Sequence, residues 1–371
     1  MFPTKIIKSS KGVRAEGGPR MDRLHKTETD DRQGVPRSIF SVADLPQIER
    51  FDAWKDSIAS IFDVEAEKEI ASNFHATLEA TLIGPLLFAR TATCRQSWSR
   101  SPRRIALDGM DHYLIQYFER GGHLDIEGVQ HGPNGYIVVF DLSRPLANTT
   151  SDFCNFSLLI PRPLLAAQLE RPDEMHNLVV TGVVGSLLRH HILTLQALSG
   201  SLDIASSDRV SEATIGLVAA CLNGVDVDSA LRDGSPSYAG IVQIKHFIDA
   251  HLHSENLTAD RIARQNGVSR SKLYTMFERH GGVAAYIRGR RLQHAFHTLR
   301  DPTRRHRSLY DVALEAGYNN DAAFCRAFKN HFELTPGEVR RLRRARPSAE
   351  EAIANASRRY EHWLHHLGAT A

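Results

Sequence analysis

The chain has 371 residues, 42% of them apolar, enough for two or more domains that each bury a core. Its net charge of +3 hides an asymmetry: residues 238–345 carry 19 Lys and Arg against 10 Asp and Glu, so the remainder is acidic and only the basic part suits nucleic acid. The four cysteines, Cys94, Cys154, Cys221 and Cys325, form no C-x-x-C pair, which argues against a zinc finger or a disulfide framework and for reduced thiols.

No apolar run is long enough to span a membrane and the polar N-terminus lacks a signal-peptide core, so a cytoplasmic protein without membrane contact is expected. Residues 1–36, rich in Lys, Arg, Asp, Gly and Ser, are expected to be a disordered extension. Trp54, Ile58, Ile61 and Phe62 have helical spacing and predict an amphipathic helix at the entry of a domain over 37–200. From Phe74 to Pro161 the pattern turns to strands: Thr77–Ile83, Leu86–Thr93, Tyr113–Phe118, His123–Ile126, Tyr136–Asp141 and Phe156–Ile160. Turn clusters such as Gly84-Pro85, Gly121-Gly122 and Gly132-Pro133-Asn134-Gly135 separate several of them, a spacing that predicts a β-sandwich or barrel.

The concave interior of a barrel is a natural small-molecule pocket. Tyr113, Gln116 and Phe118 are candidates to line it, although core packing explains the same residues. Arg144, directly after a strand, either pairs with Asp141 or Asp152 or holds an anionic ligand. Residues 162–225 return to helix, with apolar faces built on Leu164, Leu165 and Leu169, on Val184, Leu187, Leu188, Ile192 and Leu195, and on Val210 to Leu222. The span 201–237 reads as a helix followed by an interdomain linker, Asp226–Ser237.

The basic segment contains one short pattern twice. Ile262-Ala263, Gly267-Val268, Leu273 and Phe277 are answered by Val312-Ala313, Gly317-Tyr318, Phe324 and Phe328. In each copy the Gly follows the Ala by four positions, where a helix end takes positive φ. Ser269 and Asn320 (or Asn319) are candidate N-caps of the following helices, whose i,i+4 apolar pairs turn inward. Left outward are Arg270, Ser271, Tyr274 and Thr275 in the first copy, and Asp321, Ala322, Cys325 and Arg326 in the second. Two helix-turn-helix units in an all-α domain follow, and such outer faces enter a major groove to contact bases. Arg279, Arg290, Arg291 and Lys329 are candidates for contacts to the phosphate backbone. Beyond residue 345, the tail 346–371 predicts one amphipathic helix carrying Ala352, Ile353, Tyr360, Trp363 and Leu364.

These residues resemble the AraC/XylS family of bacterial transcription regulators. The resemblance covers about 238–342 and extends through Tyr286-Ile287-x-x-x-Arg291-Leu292-x-x-Ala295, Phe324-x-Arg326-x-Phe328-Lys329 and Thr335-Pro336-x-x-Val339-Arg340. This chain departs from many members in its compact His280-Gly281-Gly282-Val283 turn, familiar in a subgroup, and in Thr275, where an Arg is frequent. The segment Tyr136–Pro145 further resembles the cupin-like sensor domain found ahead of the DNA-binding domain in a subset of relatives. The resemblance implies a cupin-like β-barrel with flanking helices followed by an all-α DNA-binding domain. It also implies a partner operator or promoter in double-stranded DNA, a small-molecule effector, contact with RNA polymerase, a homodimer through the helices after the barrel, and activation as the output.

The rival reading is a cupin-type metal-dependent enzyme fused to a DNA-binding module. Cupin metal sites use a His-x-His pair on one strand with a Glu shortly after, on one inward face. His112, His123, His131, Glu119 and Glu127 occur in the strand region, but no His-x-His does, and neither a Gly-x-Ser-x-Gly elbow nor a Pro-Cys-His-Arg methyl-acceptor segment occurs. No cofactor, metal or catalytic activity is therefore expected.

Overall fold

The computed structural model describes residues 25–26, 34–124, 136–225, 236–254, 256–278, 281–301, 304, 306–342 and 360–367. The sheet-rich half carries strands β1 (His25–Lys26), β2 (Arg37–Ser41), β3 (Asp63–Glu65), β4 (Ala76–Ile83), β5 (Leu86–Thr93), β6 (Gln96–Arg100), β7 (Tyr113–Arg120), β8 (Ile137–Asp141), β9 (Leu146–Thr150), β10 (Phe153–Ile160) and β11 (Leu178–Val180). Between and after them run helices α1 (Arg50–Ile58), α2 (Lys68–Ser72), α3 (Pro102–Asp108), α4 (Arg162–Ala166), α5 (Gly182–Leu198) and α6 (Ile204–Asn223). The helical half holds α7 (Pro236–Ala250), α8 (Ala259–Gln265), α9 (Arg270–Met276), α10 (Val283–Arg300), α11 (Leu309–Glu315), α12 (Asp321–Phe332) and α13 (Pro336–Leu342). A last helix, α14 (Tyr360–His366), follows.

An eight-stranded sheet in the order β1-β2-β4-β5-β10-β7-β8-β11 faces a three-stranded sheet, β3-β6-β9. Among the described residues an isolated bridge from His123 to Thr150 joins their corner. The expected barrel is therefore corrected to two facing sheets that, among the described residues, do not close into one. Strand parity explains the two cores. On β10, Phe156, Leu158 and Ile160 face the cluster shared with α4, α5 and α6, while Phe153 and Leu159 face the space between the sheets. Covered on both sides, β10 is buried along its whole length, its polar Asn155 and Ser157 included.

The expectation of a wholly disordered N-terminal extension needs amending. His25–Lys26 pairs with Phe40 and Ile39, and Val35 donates to the Leu202 carbonyl, so parts of the 1–36 extension are structured. Only the first two residues of the expected strand His123–Ile126 are described, and most of the linker Asp226–Ser237 lies outside the described residues.

The helical half repeats one local construction. After α8 the Val268 amide donates to the Ala263 carbonyl at 3.0 Å, and after α11 the Tyr318 amide donates to the Ala313 carbonyl at 2.9 Å. Gly267 and Gly317, at φ 63° and 79°, supply the left-handed residue that this six-to-one bond demands. Ser269 and Asn320 then cap the next helix through their side chains, accepting from the Lys272 and Ala323 amides. The 18 residues of α10 span about 27 Å. Its first turns, through Val283 and Ile287, complete the core of the first helix pair with α7, while Leu292, Ala295, Phe296 and Leu299 belong to the second.

Candidate nucleic-acid interface, cavity and domain junction

In both helix pairs the inner face is fully buried: Leu273, Phe277, Phe324 and Phe328 are each 0% exposed. On α9, Arg270, Ser271, Tyr274 and Thr275 are all exposed. Arg270 bridges to Asp260 at 3.1 Å and reaches the Tyr274 hydroxyl at 3.4 Å, so it is held along the helix surface. On α12, Asp321, Ala322 and Arg326 are exposed and Cys325 is half-buried beside the core. Burial raises the Cys325 thiol above its ordinary range, Asp321 adding to it, so this sulfur is a neutral apolar contact.

The candidates for the phosphate backbone divide. Lys329 is exposed on α12, and Arg279 lies outside the described residues. Arg291 caps the helical half from within, donating to the Leu252 carbonyl at 3.0 Å and the Ser254 carbonyl at 3.2 Å. Arg290 is 9% exposed and donates to Asp249 at 2.6 Å at the junction between the two halves. A backbone role for Arg290 is thus corrected: in this arrangement its guanidinium is already used.

The effector candidates also divide, by the parity of β7. Gln116 and Phe118 face the space between the sheets, whereas Tyr113, an odd number of residues from Gln116, lies on the opposite face against the helices. Between the sheets lies a cavity of about 50 Å³ walled by Trp54, Phe62, Trp98, Gln116, Phe153 and Asn155, among others. A neighbouring one of about 20 Å³ adds Phe118, His123, Phe140 and Asn148. Sequence reasoning missed Asn148 and Asn155 and weighed His123 only as a metal ligand. Asn155 Oδ1, Asn148 Oδ1 and both His123 ring nitrogens are buried without a partner in hydrogen-bonding geometry. Burial pushes His123 down to about 3, with the adjacent Asn148 amide pulling weakly the other way, so the imidazole is neutral. Among the described residues no three His, Cys, Asp or Glu side chains converge as metal ligands; His131 and Glu127 lie outside them.

Arg144 lines neither cavity. It stands at the junction, donating to the Tyr286 hydroxyl at 3.1 Å and the Asp173 carbonyl at 3.3 Å, and it lies 3.9 Å from Asp249. Asp141 pairs instead with Arg162, whose guanidinium also donates to Tyr113 at 2.8 Å and covers its ring. Burial alone would raise the Asp141 carboxyl, yet Arg162 holds it well below the usual carboxylate range. From the helical side, Gln293 donates to the Ser143 carbonyl. His297 of α10 adds to the same set, pushed down to about 4 by burial and then by Arg162.

The apolar part of the junction is α3. Its signals are local: Ser101 caps the Arg104 amide, Pro102 sits in the first turn, and Gly109 closes the helix in the left-handed conformation. Ile105 and Ala106 of α3 pack into the second helical cluster, among Leu292, Phe296, Phe324, Phe328 and Phe332. Arg103 reaches Glu333 at 3.3 Å on the rim. Helix α14 returns into the sheet half, where Tyr360, Trp363, Leu364 and Leu367 join the cluster between the sheets.

A family described as a helix-turn-helix domain matches residues 262–342. The XylDLEGF operon transcriptional activator 1 of Pseudomonas putida is 31% identical over 145 residues, 38% of this chain and 43% of that protein. The chain thus spans less than half the length of that activator. The regulatory protein SoxS of Salmonella typhimurium is 34% identical over 107 residues, 28% of this chain and 96% of that protein. Among solved structures, the AraC-like transcriptional activator CuxR is 28% identical with a TM-score of 0.46, covering 69% of this chain and 94% of that one. Among the described residues no helix is long and apolar enough to cross a membrane.

Proposed function

The chain belongs to the AraC/XylS family of transcription regulators, and from that premise we propose that it is a cytoplasmic, sequence-specific DNA-binding activator controlled by a small molecule. Residues 238–345 form the DNA-binding domain, with two helix-turn-helix units, and residues 37–200 form a cupin-like effector-sensing domain. The observation that carries this reading is the repeated geometry of α8–α9 and α11–α12. Each second helix is capped, buries its apolar pair completely and leaves an exposed row suited to base edges. Arg270, Ser271, Tyr274 and Thr275 would meet one major groove, and Asp321, Ala322, Cys325 and Arg326 the next; Arg279 and Lys329 would meet phosphates. Held by the single helix α10, the two rows would engage one face of the duplex about 34 Å apart.

The effector enters the space between the sheets, beside Gln116 and Phe118. Tyr113 and Arg144 act instead at the junction, where effector occupancy is passed to the helical half. The chain pairs with a second copy through α5 and α6, whose Val183 and Leu187, four apart, are 87% and 51% exposed. RNA polymerase is the further partner that activation requires. Relatives named a transcriptional activator and a regulatory protein favour regulation over catalysis. Selection of bound duplexes from a random library tests the reading: a recovered consensus supports it, and binding that remains uniform across sequences and vanishes with moderate salt contradicts it.

A further inference from the structure

The two halves exchange elements. Helix α3 completes the helical core and α14 completes the core between the sheets. The exchange is unequal, because α3 is bound into strands on both sides whereas α14 is reached from Leu342 only through residues 343–359, rich in Arg, Ala and Ser. A helix of seven residues has no stability of its own in water, so its seat makes it a helix. That seat is specific. Ser57 Oγ lies 2.7 Å from the Tyr360 hydroxyl and donates to Glu361 at 2.8 Å, and Tyr360 and Leu364 are each 1% exposed.

Tyr360 and Leu364 also wall the larger cavity. With them in place about 50 Å³ remains, far below the roughly 300–1,000 Å³ of small-molecule sites. The walls are aromatic and aliphatic. Among the described residues no Asp, Glu, Lys or Arg lines either cavity, and the polar groups left over are the amide oxygens of Asn155 and Asn148 and the neutral His123. Such a site has nothing to balance an ionised ligand and has acceptors that want a hydroxyl or N–H.

We propose that α14 is a built-in occupant of this cavity, and that a neutral effector with an apolar body and a hydrogen-bond donor competes with Tyr360 and Leu364 for the space. The inference rests on the effector-site reading above and adds what regulates that site. Seating and binding exclude each other, so the helix lowers the apparent affinity by the fraction of chains in which the site is open. By linkage the effector unseats the helix to the same extent.

The test uses the full chain and the neutral fluorophore N-phenyl-1-naphthylamine. Glu361 accepts from Ser57 and does not wall the cavity, so Glu361→Arg loosens the helix while leaving the lining intact. The expected result is binding of one fluorophore per chain, at least about tenfold tighter in Glu361→Arg than in the unaltered chain. Adding Ala89→Leu, which fills the cavity, should abolish it. Equal affinity in both chains, blocked by Ala89→Leu, overturns the competition and leaves the cavity reading standing. Binding to neither chain, or binding indifferent to Ala89→Leu, overturns both. Circular dichroism of each variant confirms the fold, and Ser57→Ala, milder in its packing change, repeats the comparison.

Discussion

Arg144 and Tyr286 are 142 positions apart in the chain, and the Arg144 guanidinium donates to the Tyr286 hydroxyl across 3.1 Å. Asp249 lies beneath them, 3.9 Å from Arg144 and 2.6 Å from Arg290. One carboxylate therefore serves two buried guanidiniums from opposite halves of the molecule.

That sharing sets an order of severity. Arg144→Ala leaves Asp249 paired with Arg290, so the loss is that of a charged hydrogen bond, about 1–3 kcal/mol. Asp249→Ala strands two cations in a buried place and should cost about 3–5 kcal/mol. Urea unfolding of the two variants checks this, and a larger loss for Arg144→Ala would refute the shared-carboxylate account.

Helix α3 makes the halves interdependent. Ile105→Ala should cost about 2–4 kcal/mol, and the loss should register as faster amide exchange in α12 and α10, far along the sequence. For the same reason a fragment of residues 238–345 exposes the surface that Ile105 and Ala106 cover. It should bind DNA but melt below the full chain. A fragment as stable as the full chain would mean that α3 contributes nothing.

The helix pairs were legible because everything that makes them is local. The Ala-to-Gly spacing encodes the six-to-one bond, and Ser269 and Asn320 lie three residues before the amides they cap. The faces of β7 are legible too, since strand parity separates Tyr113 from Gln116. What could not be read was pairing at long range. Nothing near Ile105 says that it joins the cluster of α10 and α12, and nothing near Tyr360 points to Ser57, 303 residues away. Arg290 and Lys329 look alike in sequence; only the approach of Asp249 separates a buried cation from an exposed one.

On DNA that separation becomes measurable. Arg326→Ala should cost about 1–3 kcal/mol and relax preference at one base pair. Lys329→Ala should weaken all sequences alike and reduce the salt slope by about one. Arg290→Ala and Arg291→Ala should instead lower the melting temperature, because their donors go to Asp249 and to the Leu252 and Ser254 carbonyls. A reduced salt slope with unchanged melting would return either residue to the DNA surface.

Stability should also fall with acid in two stages. His123 and His297 are pushed down to about 3 and about 4 when folded, so the unfolded chain takes up their protons first. Stability is therefore lost as pH falls from about 6.5 toward 4, by on the order of several kcal/mol. Asp141, held low by Arg162, adds a loss below the ordinary carboxylate range near 3.9. Denaturation curves at pH 7.5, 6 and 5 test the first stage, and His297→Gln should flatten it. Curves that coincide from 7.5 to 5 would contradict neutral burial of these rings.

The most direct measurement is methylation interference on a duplex recovered by selection with the full chain. Two helices held by α10 should make the protein sensitive to guanine N7 methylation in two major-groove clusters, about one helical turn apart on one face. Arg326→Ala should erase a single position within one cluster and leave the other untouched. A single cluster, or sensitivity spread evenly along the duplex, would contradict the account.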